Sequence, residues 1–98
     1  MTDFDYKQLD DTLQSRIRVA IMAALVSLED ADFNFLKNMV KATDGNLSSH
    51  LRKLEDVGYI SVNKSFVNRK PQTKYKITEK GRRALVEHVN ILEKLIKK

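Results

Sequence analysis

The chain is 98 residues long, carries 18 Lys/Arg against 13 Asp/Glu for a net charge of +5, and has two histidines and no cysteine. A chain of this size holds one core, so residues 1–98 are expected to form a single domain, and the missing cysteines exclude disulfides, thiolate catalysis, thiol redox sensing and Cys-based zinc or arsenic sites. No stretch approaches the ~20 apolar residues that span a bilayer, and the start Met-Thr-Asp-Phe-Asp-Tyr lacks the basic and apolar regions of a signal peptide, so the expectation is a cytoplasmic protein with no membrane partner.

Residues 1–10 read as an N-terminal arm with Phe4, Tyr6 and Leu9 as apolar anchors. Asp11 followed by Gln14 resembles a capping box and predicts that the first helix starts there. Along it Leu13, Ile17, Ile21, Ala24, Leu25 and Leu28 mark one buried stripe, and Val19, Met22, Ala23 and Val26 mark a second. A surface helix needs only one apolar stripe, so Val19, Met22 and Val26 are expected against a partner protomer. Glu29-Asp30 ends this helix. Asp32 then caps a short one bearing Phe33, Phe35, Leu36, Met39 and Val40, with Asn34, Lys37 and Asn38 on its polar side. Lys41-Ala42 is a tight turn into the next helix, the arrangement in which one helix crosses a nucleic-acid backbone and the following one reads bases.

Residues 43–58 carry punctuation at both ends: Thr43 can cap the N-terminus, and Gly58 can close the C-terminus in the left-handed conformation. Leu47, Leu51, Leu54 and Val57 fall on one side at helical spacing. The opposite arc collects Gly45, Ser49 and Arg52, flanked by Asn46, Ser48 and Lys53. Asn, Ser and Arg hydrogen-bond base edges, and Arg and Lys neutralise phosphates, so this face suits the major groove of DNA.

Residues 59–67 alternate at period two, with Ile60, Val62 and Phe66 on one side. Asn68-Arg69-Lys70-Pro71 reads as a turn, and residues 72–77 alternate again, with Thr73, Tyr75 and Ile77 facing the core. The result is a two-stranded hairpin with a basic tip that must pack its apolar face on the helices. Thr78 caps a last helix in which Gly81 permits close approach to the sheet. Leu85, Val89, Leu92 and Ile96 form one stripe of that helix, with Ala84, His88, Ile91 and Leu95 beside it. The band is too wide for one small domain to cover. An isologous contact through Leu85, His88, Val89, Ile91, Leu92, Leu95 and Ile96 is therefore expected, making the chain a homodimer.

The run Leu51-x-x-Leu54-x-x-x-Gly58-Tyr59-Ile60, followed by a hairpin and then Ile77-Thr78-x-x-Gly81-Arg82, resembles the winged helix-turn-helix domain of small bacterial and archaeal MarR-type transcriptional regulators. The resemblance spans roughly residues 12–98. It implies an α+β, mostly helical fold: a three-helical core, a two-stranded β-hairpin wing, and a long C-terminal dimerisation helix over 78–98. It also implies that helix 43–57 enters the major groove of double-stranded DNA and that the wing, 67–71, meets the minor groove or backbone. Longer members add helices that frame a ligand pocket at the dimer interface; in this short chain a small-molecule effector is left open.

Charge is divided along the chain. Residues 1–58 hold seven Lys/Arg against ten Asp/Glu, a net of −3, and residues 59–98 hold eleven against three, a net of +8. A basic hairpin and helix start on an acidic body is the footprint of a polyanion on one side. The side chains expected on DNA are Thr43, Asn46, Ser48, Ser49, Arg52, Lys53, Lys64, Arg69, Lys70 and Lys74. Lys64, Lys74 and Lys76 could equally blunt strand edges against aggregation. His50, at the edge of the buried stripe, reads as a packing or capping residue, and Tyr59 and Tyr75 as core and sheet packing. No Ser/His/Asp set, glycine-rich phosphate loop or paired carboxylate is recognisable, so neither an enzyme, a cofactor nor a metal is indicated. The competing reading is a winged helix that binds protein or RNA within a larger complex; such versions lose the basic and small polar groups that 46–53 retain.

Overall fold

Two side-chain caps, rather than one, organise the N-terminal segment. The structure, a computed structural model, describes residues 9–97, so the arm anchors Phe4 and Tyr6 lie outside the described residues. Asp10 Oδ1 accepts from the Thr12 backbone N–H at 2.8 Å and opens a 3₁₀ turn, Asp11–Gln14. Ser15 Oγ accepts from Arg18 N–H at 3.3 Å and opens helix α1, Arg16–Ser27. The capping box expected at Asp11 does not form. Gln14 reaches only the Asp11 carboxylate, at 3.3 Å, because short polar side chains on either side claim the backbone donors first.

Helix α1 is the centre of the domain. It packs against the next two helices, the sheet and the last helix, so its first apolar stripe and Met22 of the second are covered by the same protomer, while Ala23 and Val26 stay exposed. Ile21, Met22 and Leu25 are fully excluded from solvent. Met22, expected at a dimer contact, is thus a core residue at 0% exposure; Val19 is half-buried and Val26, at 37%, is open. Strand β1, Ala31–Asp32, follows, and then helix α2, Phe33–Val40, with Asp32 Oδ1 accepting from Phe35 N–H at 2.8 Å. Leu36 points inward, whereas Phe35 and Met39 are exposed. Lys41 takes the left-handed conformation (φ 56°, ψ 45°) and turns the chain sharply into helix α3, Asp44–Asp56. Leu47, Leu51 and Leu54 of α3 seal the core.

The sheet has three antiparallel strands in the order β1-β3-β2, where β2 is Ile60–Val67 and β3 is Lys70–Ile77. Strand β1 pairs Ala31 with Tyr75 and Asp32 with Lys74. Its two residues are too few for periodicity to show in the sequence. Strands β2 and β3 pair from Ile60↔Ile77 out to Val67↔Lys70, leaving a turn of only Asn68 and Arg69. Lys70 and Pro71, expected in the turn, belong to β3, with Pro71 opposite Phe66. The apolar face of the hairpin is buried only at its base: Ile60 and Ile77 are buried, Val62 is half-buried and Phe66 is 77% exposed.

Helix α4, Glu79–Ile96, begins where Thr78 accepts from Gly81 N–H at 2.9 Å and donates to the Gly58 carbonyl at 2.6 Å. A Cβ at position 81 would overlap the Tyr59 carbonyl, so glycine is what allows α4 to start against the end of α3. Leu85, His88 and Ile91, expected in a dimer contact, are buried within the protomer, because the 3₁₀ turn and α1 cover that side of α4. Leu95 is half-buried, and Val86, Val89, Leu92 and Ile96 face outward. The wide apolar band is therefore two bands, one internal and one free. No helix among the described residues is long and apolar enough to cross a membrane.

Candidate nucleic-acid interface

Both ends of α3 are closed by the residues its sequence supplies. Thr43 Oγ1 accepts from Asn46 N–H at 3.2 Å. At the other end Gly58 N–H donates to Glu55 O and Tyr59 N–H to Leu54 O, each at 2.9 Å, with Gly58 at φ 83°. That is a Schellman closure, and a left-handed residue there favours glycine. Burial of Leu47, Leu51 and Leu54 fixes the rotation of the helix, so Thr43, Asn46, Ser48, Ser49, Arg52 and Lys53 all emerge into solvent. Asp44 adds an acid at this end, favourable at a helix N-terminus. Its charge is answered by Lys37 of α2, whose Nζ lies 2.7 Å from Oδ1. The pair ties the two helices of the motif across the Lys41 turn.

Behind α3, Arg18 Nε donates to His50 Nδ1 at 3.0 Å, while its other arm donates to the Thr12 carbonyl at 3.0 Å. One guanidinium thus joins α1, α3 and the 3₁₀ turn. Burial, and then the Arg18 charge, lower the His50 pKa from its ordinary 6.5. His50 faces inward as a packing residue, away from the exposed arc. Tyr59 is held similarly: its hydroxyl donates to the Asp10 carboxylate, and Lys80 Nζ lies over its ring at 5.8 Å. Burial together with the Asp10 contact pushes its phenol up to about 12. Tyr75 is likewise raised, by burial and by Glu55. Residues 32 positions apart carry no shared periodicity, so the Arg18–His50 bond has no signature in the sequence.

The wing ends in a two-residue turn in which Asn68 (φ 54°) and Arg69 (φ 66°) are both left-handed, the geometry that matches the twist of a tight hairpin. Asparagine tolerates this conformation; arginine at the second position stands where glycine would relieve about 1 kcal/mol. The chain accepts that cost and sets a cation at its apex. Arg69, Lys70 and Lys64 are exposed there. Lys74 is not part of this group. It is half-buried and its Nζ is 3.3 Å from Asp30 Oδ1, because β1 brings Asp30 beside β3.

The model of the winged helix DNA-binding domain matches residues 17–96. An uncharacterized protein of Methanocaldococcus jannaschii is 44% identical over 75 residues, which cover 76% of this chain and 82% of that protein. Among solved structures, the transcriptional regulator homologue protein from Pyrococcus horikoshii OT3 superposes with a TM-score of 0.77 at 29% identity, covering 93% of this chain and 95% of that one. The zinc-responsive MarR family member ZitR of Lactococcus lactis shares the fold, with a TM-score of 0.67 at 17% identity over 90% of this chain and 60% of its own.

Proposed function

The chain belongs to the family of winged helix DNA-binding domains, and from that premise we propose that it is a sequence-specific, double-stranded DNA-binding transcriptional regulator that acts as a homodimer. Helix α3 enters the major groove and the wing meets the minor groove or the backbone. The observation that carries this reading is the exposed arc of α3, where Asn46, Ser49, Arg52 and Lys53 stand on a helix whose rotation and both ends are locked. Asn46, Ser49 and Arg52 can read base edges, Arg52 bidentately on guanine, while Lys53, Lys64, Arg69 and Lys70 answer phosphates. Thr43 and Ser48 flank the arc and can donate to the backbone once it is seated. Dimerisation uses the outward band of α4, Val89, Leu92 and Ile96, with Val26 of α1 as a further exposed apolar residue.

Selection of duplexes from random-sequence DNA by the purified protein tests the proposal. Enrichment of an inverted repeat, with half-sites about one helical turn or ~34 Å apart, is the expected result. Recovery of unenriched sequence would reject it and favour docking to another protein, a role for which the exposed Phe35 and Met39 of α2 would be the surface.

A further inference from the structure

Phe66 is a phenyl ring exposed to 77% at the far end of the hairpin, and none of the described residues covers it. It stands on the same side of the ribbon as Ile60, six residues along β2. At ~3.3 Å per residue that is roughly 20 Å beyond the last buried position of the strand. Pro71 lies directly opposite across the ladder, so ring and pyrrolidine form an apolar pair, and the two-residue turn leaves no slack through which the pair could fold back. The hairpin itself carries only basic charge, and acids enter from the β1 edge, where Asp30 and Asp32 stand beside Lys74. Residues 59–78 contain Lys64, Arg69, Lys70, Lys74 and Lys76 and no acidic residue.

An apolar wedge framed by cations fits a partner that is anionic outside and apolar within. A duplex offers that layering across its minor groove, with phosphates on the rims and stacked bases on the floor. Apolar side chains inserted there unstack a base step and kink the helix axis. An anionic bilayer has similar layers, but interfacial anchors present a continuous amphipathic face, whereas this ribbon presents one pair on the Phe66 face and Val67 alone on the other. We propose that Phe66, backed by Pro71, is a minor-groove wedge that partly unstacks a base step beneath the wing and bends the bound DNA. The proposal rests on the DNA-binding reading above. It adds indirect readout: pyrimidine–purine steps, which unstack most readily, are preferred under the wing without any hydrogen bond to their edges.

The test uses the full chain and the duplex that it enriches from random sequence, labelled at both ends for energy transfer and carrying 2-aminopurine at successive steps under the wing. Wild type should shorten the end-to-end distance and brighten the probe at one step. Phe66→Ala should abolish both signals and weaken binding by about tenfold while leaving the salt dependence unchanged, because no charge is removed. Phe66→Leu, which keeps an apolar wedge, should retain most of the bend. Circular dichroism should be unaltered in both, since the ring packs on no core residue. A Phe66→Ala protein that binds and bends DNA as wild type does overturns the wedge and leaves DNA binding standing. A changed mass in light scattering would make Phe66 a self-association contact, and Phe66-dependent capture on anionic vesicles a membrane contact; either overturns the wedge. A wild-type protein that enriches no duplex removes the reading beneath it.

Discussion

The imidazole of His50 can accept from Arg18 Nε only while Nδ1 carries no proton. Its folded pKa is depressed below the ordinary 6.5, so the unfolded chain takes up a proton first as pH falls. The contribution of this bond is therefore fully present above pH 6.5 and is lost as pH falls toward the folded value. Urea midpoints measured on either side of pH 6.5 should drop for wild type on the acid side, and should drop less for His50→Gln, which keeps an acceptor for Arg18 and cannot titrate. Equal drops would assign the acid sensitivity to other groups. Arg52 is a residue of the opposite kind, exposed and free of any partner among the described residues. Arg52→Ala should leave the fold intact and cost about 1–3 kcal/mol on the preferred duplex if the guanidinium reads a guanine. Titrations on preferred and random DNA check it; equal weakening on both would make Arg52 a phosphate contact.

Among the elements, the junction of α3, β2 and α4 leaves no room for a side chain at position 81. Tyr59 gives its carbonyl to Thr78 N–H at 3.0 Å, and the same carbonyl is the atom a side chain at position 81 would strike. Backbone cannot give way as a flexible side chain can, so Gly81→Ala should destabilise by about 3 kcal/mol, the upper end of the range for overpacking. Chemical denaturation with an unchanged m value is the readout. The wing carries a different kind of prediction. Arg69 and Lys70 touch no core residue, so the Arg69→Ala/Lys70→Ala double variant should fold normally yet bind every duplex more weakly. For each phosphate that the variant no longer neutralises, the slope of log K against log salt should fall by about 0.9. An unchanged slope with intact circular dichroism would take the cations of the wing out of the interface. A shallower slope here and a missing bend at Phe66 are separable signatures on one hairpin.

At the scale of the whole molecule, the outward face of α4 is what remains unexplained by a single protomer. Val86, Val89, Leu92 and Ile96 are exposed by 54%, 45%, 38% and 82% along one helix. Scattered apolar residues are normal on a surface, but a stripe from Val86 to Ile96 along one helix is a candidate for covering. Light scattering should therefore report about twice the chain mass of 11.3 kDa. The Val89→Lys/Leu92→Lys double variant should return the mass to that of one chain without loss of helicity, since neither side chain lies in the core. A wild-type monomer would reject dimerisation through α4.

What the sequence by itself determined is what neighbouring residues decide among themselves. Thr43, Thr78 and Asp32 cap helices because a short oxygen three residues ahead of a free N–H is a local arrangement, and Gly58 closes α3 for the same reason. The leucine spacing of α3 set its rotation, and with it the arc of Asn46, Ser49, Arg52 and Lys53. Tertiary structure decided every question of which surface meets which. It placed one stripe of α1 in the core and left Ala23 and Val26 of the other exposed, and it moved Met22, Leu85, His88 and Ile91 inside. It added β1, and with it the claim of Asp30 on Lys74. It also sent the apolar face of the hairpin past the reach of the helices, leaving Phe66 bare. Periodicity reports that a face is apolar but says nothing of what covers it, because the covering residues come from elsewhere in the chain and only the fold brings them within reach.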